Sequence, residues 1–338
     1  MKRLALLALA CAVSAQAAAP APAALAEPAL VSPKALGAAT LAVARAGDRL
    51  VAAGERGTVL WSDDGGKAWQ QGQVPVRAGL TALRFVDANN GWAAGHLGVI
   101  LKTSDGGKTW TKQLDGLQAA QALLAAATDD AGRRAAQRLV EEGADKPWFD
   151  VDASDAQHAV AVGAYGLAMA TRDGGKTWQP LPTRAANPRG LHLYGVRVVG
   201  DQWFIAGEQG LLLRSTDGGA TFTPLASPYK GSFFGLLASP AGALLAYGLR
   251  GSVYRSTDAG ASWDKVDLGT PLSLQAGIAQ RGELTLLAQS GELFTSADDG
   301  RTFTRKAPPA GPLPAAGLAA APDGAWVIAS LRGTRRAP

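Results

Sequence analysis

Short apolar segments alternate with glycine-rich polar turns along almost the whole chain. In one unit, the apolar stretches 91–95 and 99–101 are separated by His96-Leu97-Gly98 and followed by Asp105-Gly106-Gly107. Apolar runs bounded by glycine and aspartate are typical of β-strands joined by tight turns. An upstream strand at 80–86 and a returning strand after the Asp-Gly-Gly turn complete four antiparallel strands, which we call A, B, C and D in chain order.

This unit recurs six times with its internal spacing preserved. The copies begin at residues 54, 95, 163, 207, 248 and 288, and each ends on an aromatic residue fifteen positions later. The steps between copies are therefore 41, 68, 44, 41 and 40 residues. A period near 40 residues with four strands per unit is typical of β-propeller blades, which bury their faces by stacking around an axis.

The long step contains an insertion, residues 115–146, whose pattern predicts two helices. Its first half has apolar residues at helical spacing, namely Leu117, Ala120, Leu124 and Ala127. Thr128 or Asp129 is placed to cap a second helix, which ends before Gly143. We expect a helical hairpin on the rim of the propeller, and a docking element for a partner is the alternative.

The two ends of the chain predict how the ring closes. Residues 317–320 and 325–329 are predicted to be strands A and B of a further blade, but the chain stops before another Asp-Gly-Gly turn. Ala29-Leu30-Val31 is a candidate strand, and its addition to the last blade would leave no exposed edge. The sequence therefore predicts an all-β, seven-bladed propeller of four-stranded antiparallel blades, the last blade closed by an N-terminal strand. Six blades is the alternative.

The first residues have the pattern of a secretion signal. Lys2 and Arg3 precede an apolar run and a small-residue cleavage site, so we expect residues 1–17 to be removed and the mature protein to be periplasmic or secreted. Residues 18–38 then form an Ala/Pro-rich segment, and the propeller occupies 39–338. A lipoprotein signal at Cys11 is the alternative. Cleavage after residue 17 removes this single cysteine, which excludes disulfides and thiol chemistry.

Composition narrows the classes of function. The formal net charge is +5, but no lysine-rich run typical of nucleic-acid binding occurs. The three histidines have no metal-ligand spacing, so we expect neither a metal nor another cofactor. The Gly-Gly-Lys-Thr segments at 106–109 and 174–177 lack the earlier glycine of a phosphate loop, which excludes nucleotide binding. We also expect a monomer.

The turn between strands C and D resembles the Asp-box, the bacterial neuraminidase repeat, of form Ser/Thr-x-Asp-x-Gly-x-Thr-Trp. The aspartate and closing aromatic of each copy are Asp64 and Trp69, Asp105 and Trp110, Asp173 and Trp178, Asp217 and Phe222, Asp258 and Trp263, and Asp298 and Phe303. We expect each carboxylate to accept hydrogen bonds from its own hairpin and each aromatic to pack between sheets. These residues are thus predicted to be structural. Calcium binding is the weaker alternative, because calcium takes six or more oxygen ligands.

Functional residues are expected on the face that carries the D-to-A and B-to-C loops. Arginines and aromatics recur there at equivalent blade positions, as in many protein-binding patches. The partner-binding candidates are Arg56, Tyr165, His192, Tyr229, Lys230, Arg250 and Arg332. The alternative is that these side chains only solvate the rim.

A glycoside hydrolase is the alternative function, because Asp-boxes also occur in sialidases and in xyloglucan-type hydrolases. A sialidase needs three arginines, a tyrosine nucleophile with a glutamate partner, and an aspartic acid. Arg56, Arg250, Arg332 and Tyr165 would supply part of that set. The sequence contains no Arg-Ile-Pro motif and no evident carboxylate pair, so we predict no catalytic residue.

Two segments carry a closer resemblance. Residues 162–166 followed by 171–178, and residues 91–95 followed by their own Asp-box, are similar to the photosystem II stability and assembly factor family of WD40/YVTN-like propellers. The resemblance covers nearly the whole mature chain. It implies a non-catalytic propeller that binds a membrane-protein complex through an arginine patch, for which Arg56, Arg250 and Arg332 are the matching positions. In a host without a photosystem, it implies an accessory factor for an envelope complex, and an export transporter is one candidate partner.

Overall fold

Seven antiparallel sheets follow one another along the chain in a computed structural model that describes residues 21–308 and 311–337. Six of the sheets contain four consecutive strands, and the last contains three. The first strands of all seven sheets line one central channel. The predicted seven-bladed propeller is therefore confirmed, and the six-bladed alternative is wrong. The predicted signal peptide lies outside the described residues.

The strands of the first four blades have these bounds. Blade 1 contains β1 (Thr40–Ala46), β2 (Arg49–Gly54), β3 (Val59–Ser62) and β4 (Gln70–Gln71). Blade 2 contains β5 (Leu80–Phe85), β6 (Gly91–Gly95), β7 (Ile100–Thr103) and β8 (Thr111–Leu114). Blade 3 contains β9 (Trp148–Ala153), β10 (Ala159–Gly163), β11 (Ala168–Thr171) and β12 (Gln179–Pro180). Blade 4 contains β13 (Leu193–Val199), β14 (Gln202–Gly207), β15 (Leu212–Ser215) and β16 (Thr223–Pro224).

The remaining three blades complete the ring. Blade 5 contains β17 (Phe233–Ala238), β18 (Leu244–Gly248), β19 (Val253–Ser256) and β20 (Asp264–Val266). Blade 6 contains β21 (Leu274–Gln280), β22 (Glu283–Ala288), β23 (Leu293–Ser296) and β24 (Thr304–Lys306). Blade 7 contains β25 (Ala315–Ala320), β26 (Trp326–Ser330) and β27 (Arg335–Ala337).

The core lies between neighbouring blades. Every residue of the second strands β6, β10 and β18 is buried, because each is flanked by two strands of its own blade and covered on both faces by adjacent blades. This explains why these segments are apolar throughout instead of alternating. Between blades 2 and 3, Trp92 meets the closing aromatic Trp178 edge to face, with ring centroids 5.8 Å apart.

The insertion forms the predicted helical hairpin, with helices α1 (Gly116–Ala125) and α2 (Asp130–Glu142). Asp115 caps α1 in a reciprocal capping box with Gln118, and Asp129 caps α2 by accepting the N–H of Gly132 at 2.6 Å. Helix α1 packs against the 96–98 turn of blade 2 and against β12 of blade 3. The hairpin thus covers the rim where blades 2 and 3 meet.

The prediction that an N-terminal strand closes the last blade is wrong. Ala29-Leu30-Val31 is not a strand; the N–H of Ala29 donates to Val74 O at 2.9 Å, beside blade 1, while Leu30 and Val31 are exposed. Pro28 and Pro33 flank this stretch, and proline removes the N–H groups that a longer strand needs. The third strand of blade 7 comes instead from the C-terminal segment β27.

Cationic side chains link consecutive blades on the face that carries the turns between strands C and D, which we call the Asp-box face. In six of the seven blades, a lysine or arginine donates to a backbone carbonyl in a hairpin of the next blade, and Arg336 of blade 7 reaches Gly65 O of blade 1 at 2.9 Å to close the circle. Blade 4 departs from this pattern, because Arg214 donates to Gln202 of its own blade. The other donors are Arg49, Lys102, Arg172, Arg255 and Arg281.

Candidate protein-binding face

The Asp-box carboxylates are saturated by contacts within their own hairpins. The Asp173 carboxylate accepts the N–H of Thr177 at 2.9 Å and the hydroxyls of Thr177 and Thr171 at 2.7 and 2.9 Å. These hydrogen bonds lower the pKa of Asp173 to about 2, because they favour the ionised form. The same contacts recur for Asp105, Asp217, Asp258 and Asp298, and Asp64, whose box carries Ala68, accepts one hydroxyl and two N–H groups. These aspartates therefore have few lone pairs left for a ligand.

The D-to-A and B-to-C loops share the opposite face. In each blade, the first residue after strand B donates its N–H to the carbonyl of the residue that precedes strand A. Examples are His96 to Gly79 at 2.8 Å and Leu249 to Ser232 at 3.0 Å. The seven accepting residues are Ala39, Gly79, Pro147, His192, Ser232, Ser273 and Pro314. We call this side of the molecule the loop face.

Five loop-face turns hold a non-glycine residue in the left-handed region. The residues are Arg56, Leu97, Tyr165, Gln209 and Arg250, with φ between 53° and 57°. This conformation costs a non-glycine residue roughly 1–2 kcal/mol. Three of these turns direct their N–H to the next blade, where the acceptors are His192 Nδ1 at 2.9 Å, Ser232 Oγ at 3.4 Å and Ser273 Oγ at 3.3 Å. The strained turns therefore join neighbouring blades.

A β-bulge occurs at the second residue of strand A in all seven blades. In β13, for example, Leu193 pairs with Gly207 and Gly195 with Ala206, so Tyr194 is left without a partner. A bulge turns its extra residue away from the regular side-chain alternation. The seven bulged residues all line the channel near its loop-face end; they are Leu41, Thr81, Phe149, Tyr194, Phe234, Gln275 and Ala316.

Three consecutive bulges, in blades 3 to 5, carry aromatic residues that join two aromatic loop residues. Ring centroids of successive neighbours are 4.8 Å apart for Tyr165 and His192, 5.9 Å for His192 and Phe149, 5.3 Å for Phe149 and Tyr194, and 5.7 Å for Tyr194 and Phe234. We call these five residues the aromatic half-ring. Tyr165 is 62% exposed, and the other four side chains are half-buried.

Two ion pairs lie deeper in the channel, which has a volume of about 640 Å³. Asp152 pairs with Arg84 at 2.8 Å, and Asp150 pairs with Arg197 at 2.7 Å. The backbone N–H groups of Val196 and Val198 also donate to these carboxylates, at 3.0 and 2.8 Å. These contacts connect blades 2, 3 and 4.

The side chains of Asp150 and Arg197 keep about a fifth of their surface accessible, at 20% and 22%, but only to water inside the channel. Burial raises the pKa of the Asp150 carboxyl, and the Arg197 guanidinium offsets part of that rise. Burial also raises the pKa of the nearby Tyr247 to about 12. Because each carboxylate has an arginine and backbone donors, neither is a free acid or base.

The structure brings together only part of the predicted partner-binding set. Tyr165 and His192 are in contact, while Tyr229 packs against Phe233 and Tyr254 in blade 5. The four cations of the set are exposed and form no ion pair among the described residues; they are Arg56, Lys230, Arg250 and Arg332.

The blade-7 turn differs from the turn that its sequence resembles. Leu331-Arg332-Gly333 matches Leu249-Arg250-Gly251 in letters, but Arg332 is not among the residues with positive φ, and its N–H donates to Ser330 Oγ at 3.1 Å. Sequence reasoning also missed Tyr194, because nothing in the residue pattern shows where a bulge interrupts strand pairing.

Within the described residues, no group of three or more His, Cys, Asp or Glu side chains is arranged to hold a metal ion. No helix of that same part of the chain is long and apolar enough to span a bilayer.

Fold and face together define a seven-bladed Asp-box propeller with cations and aromatics around one channel mouth. The family model described as "Photosynthesis system II assembly factor YCF48" matches residues 67–128 and 130–267, which is more than half of the chain. The chain therefore belongs to this family, as the Asp-box segments predicted.

The chain is similar to a curated relative and to solved propeller structures. The relative is the photosystem II assembly lipoprotein Ycf48 of Synechococcus sp. (strain CC9902), 32% identical over 123 residues. This match covers 34% of the chain and 35% of the relative, so it spans about a third of each.

The first solved structure is YCF48 bound to a D1 peptide, with a TM-score of 0.65, 17% identity, and coverage of 92% of this chain and 96% of the other. The second is a GH74 enzyme of Niastella koreensis, with a TM-score of 0.61, 16% identity, and coverage of 88% and 52% respectively. At these identities the two structures show the shared propeller fold alone.

Proposed function

We propose that this chain is an exported, non-catalytic propeller that binds a segment of a membrane-protein complex and supports the assembly or stability of that complex. One observation carries the proposal: the exposed loop-face cations Arg56, Lys230, Arg250 and Arg332 are without ion pairs among the described residues, whereas Glu55 and Glu208 are held by backbone contacts. Glu55 accepts the N–H of Ala39 at 3.1 Å and Glu208 that of His192 at 3.2 Å. These two carboxylates keep their charge, but the four cations outnumber them and are available to pair with acidic groups of a partner.

Family membership supports a photosystem II subunit as the partner in a photosynthetic host. The related YCF48 structure holds a D1 peptide, and the curated relative is named a photosystem II assembly factor. In a host without that complex, the proposed partner is another envelope complex, and an export transporter is one candidate. The proposed contact residues are Arg56, Tyr165, His192, Tyr229, Lys230, Arg250 and Arg332.

The arrangement of the channel carboxylates supports a non-enzymatic function over the glycosidase alternative. A glycosidase needs one carboxyl as a proton donor and another as a base or nucleophile. Asp150 and Asp152 are each committed to an arginine and to backbone N–H groups. Both would have to break these contacts before they could act on a sugar.

Cross-linking of the mature protein to membranes of its host, followed by purification under denaturing conditions, tests the proposal. We expect one membrane-protein complex to be recovered, with yield reduced at least fivefold when Arg56 and Arg250 are both changed to Ala. A matched control changes Arg133 and Arg138 of α2, which are exposed on the insertion, to Ala. Hydrolysis of an aryl sialoside or a xyloglucan oligosaccharide, abolished by Asp150→Asn, would contradict the proposal.

Export itself is part of the proposal, and two processing routes are distinguishable. A signal peptidase cut would begin the mature chain at Ala18, whereas a lipoprotein route would begin it at an acylated Cys11. Intact-mass measurement of protein recovered from the cell envelope separates the two starts. We propose the first route. The curated relative is named a lipoprotein, so Cys11→Ser is the variant that tests the second.

A further inference from the structure

The ring of bulges is chemically asymmetric. Blades 3, 4 and 5 place Phe149, Tyr194 and Phe234 at the bulge, whereas blades 6, 7, 1 and 2 place small, polar or aliphatic residues there. The latter four are Gln275, Ala316, Leu41 and Thr81. Since Ala316 and Thr81 form the same bulge, ring closure does not require an aromatic residue at this position. The three consecutive aromatics therefore need another explanation.

The aromatic half-ring follows the curved wall of the channel, because its three bulged residues line the channel in consecutive blades. Adjacent rings are inclined by 71° for Tyr165 and His192, 82° for His192 and Phe149, 45° for Phe149 and Tyr194, and 85° for Tyr194 and Phe234. A sugar ring stacks on a flat exposed aromatic face; Tyr165 is the one exposed ring of the five, and Lys146 Nζ already lies 5.4 Å from its centroid. Because the rings follow the curve of the channel wall, they can contact a large apolar side chain in the channel mouth from more than one side, as in the anchor pockets of protein interfaces.

The charges near the aromatic half-ring indicate which residues should flank the anchor side chain in a bound peptide. Lys146 lies over the Tyr165 ring at 5.4 Å, and the exposed cations Lys230 and Arg250 are on the same face. Glu208 already accepts the N–H of His192, and Lys146 is paired with Glu142 and Asp145. Carboxylates on the bound segment are therefore favoured on the blade-5 side, where Lys230 and Arg250 have no ion pair among the described residues.

We propose that the aromatic half-ring is an anchor pocket for one large apolar or aromatic side chain of an extended, acidic peptide segment on the partner. This inference rests on the proposed function, because it assumes that the loop face binds a protein. The peptide backbone crosses the channel mouth over blades 3 to 5. Its anchor side chain packs on the channel side of Phe149, Tyr194 and Phe234. Its carboxylates meet Lys230 and Arg250.

Selection of random twelve-residue peptides displayed on phage, against the full mature chain, tests this proposal. Enriched peptides should share a large apolar residue with Asp or Glu within a few positions. Affinities of the synthesised peptides are then measured by fluorescence anisotropy. We expect the double change Tyr194→Ala with Phe234→Ala to weaken binding at least tenfold. The matched control, Leu41→Ala with Gln275→Ala at the equivalent bulges, should change it less than twofold.

A second measurement guards against misfolding of the double variant. Photo-cross-linking with benzoyl-phenylalanine in place of Phe234 keeps an aromatic residue in the ring, and it should label the peptide at the anchor. The same group in place of Gln275 should not. Enriched peptides that are basic or lack an anchor, an absence of enriched peptides, equal loss in both double variants, or tight xyloglucan binding that needs the same rings would each overturn the proposal.

The two proposals can fail separately. If the Tyr194 and Phe234 variant still cross-links to its membrane complex while the Arg56 and Arg250 variant does not, the anchor pocket is wrong and the proposed function stands. If no membrane complex is recovered but acidic anchored peptides bind as expected, the aromatic half-ring has the assigned chemistry and the proposed function is wrong.

Discussion

At the scale of single residues, aspartates of this chain have opposite environments. The carboxylates of the Asp-boxes accept three or more hydrogen bonds at the surface, which lowers their pKa; Asp173, Asp217 and Asp258 each fall to about 2. Asp150 is enclosed in the channel, where burial raises its pKa. Aspartate therefore stabilises hairpin turns in the Asp-boxes and pairs with an arginine of the next blade in the channel.

The lowered pKa values predict how stability depends on acid. A carboxylate whose pKa is lower in the folded state stabilises that state above its unfolded pKa, near 4, and this contribution is lost as pH falls toward 2. Asp173→Asn should lower the melting temperature by a few degrees at pH 7 and flatten its fall between pH 4 and 2. Circular dichroism melts over this pH range measure both effects. Asp264→Asn is the control, because this exposed aspartate of β20 forms no ion pair or side-chain hydrogen bond among the described residues.

Left-handed turn residues give a second prediction. Arg250 has a φ of 57°, whereas Arg332 in the matching sequence is not left-handed. Glycine relieves the left-handed strain but loses more chain entropy on folding, so Arg250→Gly should raise the free energy of unfolding by about 0.5–1 kcal/mol. Arg332→Gly should lower it or leave it unchanged. Urea unfolding of both variants checks the difference. Equal effects would show that the turn at 250 is unstrained.

At the scale of elements, the sequence pattern predicted what depends on neighbours in the chain. Asp105-Gly106-Gly107 and its copies predict hairpins, and Asp129 and Gly143 predict the two ends of a helix. These predictions succeed because turns and helix caps depend on residues that are close in sequence. Contacts between residues that are distant in the chain were harder to predict. The bulge at Tyr194 depends on the register between two strands, which the sequence pattern does not show. Likewise, nothing in residues 29–31 indicates that β27 supplies the third strand of blade 7.

The cationic links between blades were also invisible in the sequence, since five of them join residues about 40 to 70 positions apart and the sixth, from Arg336 to Gly65, spans 271 positions. Lys102 shows their form: its Nζ donates to Ala156 O at 2.8 Å and Gly174 O at 2.9 Å and lies 4.8 Å from the Trp92 ring centroid. Each link joins a residue in or next to a strand of one blade to a hairpin of the next. Hairpins on the Asp-box face thus hold adjacent blades together.

Removing the cation of one link should lower the free energy of unfolding more than removing Arg214, the cation that forms no link to the next blade. Lys102→Met keeps the aliphatic stem but leaves two carbonyls without their donor, so we expect a loss of about 1–2 kcal/mol in the free energy of unfolding. Arg214→Met, at the blade that lacks the link, should lose less than about 0.5 kcal/mol. Chemical unfolding monitored by tryptophan fluorescence compares the two. Similar losses would contradict a stabilising role for the links.

At the scale of the whole molecule, the ring is closed by side chains and packing instead of a strand shared between the chain ends. Strands β1 and β25 are adjacent, and the fully buried Thr40 exchanges hydrogen bonds with Ser330 across 290 residues. Arg336 adds its contact to Gly65 O on the opposite side. Each blade therefore has two neighbours, and the channel mouth keeps one fixed outline for a partner.

The Thr40 contact predicts how closure supports the ring. Thr40→Val preserves side-chain shape but leaves the buried N–H of Ser330 without an acceptor, which costs about 1–3 kcal/mol. Hydrogen exchange should show faster opening first in blades 1 and 7, because those blades lose their mutual contact while the other interfaces remain. Thr111→Val removes an exposed hydroxyl with a contact inside blade 2, so it serves as the control. Acceleration spread evenly over all seven blades would mean that the ring opens as one cooperative unit and that closure is not its weakest interface. In that case, the fixed outline of the channel mouth would depend on every blade equally, and not on the joint between the first and the last.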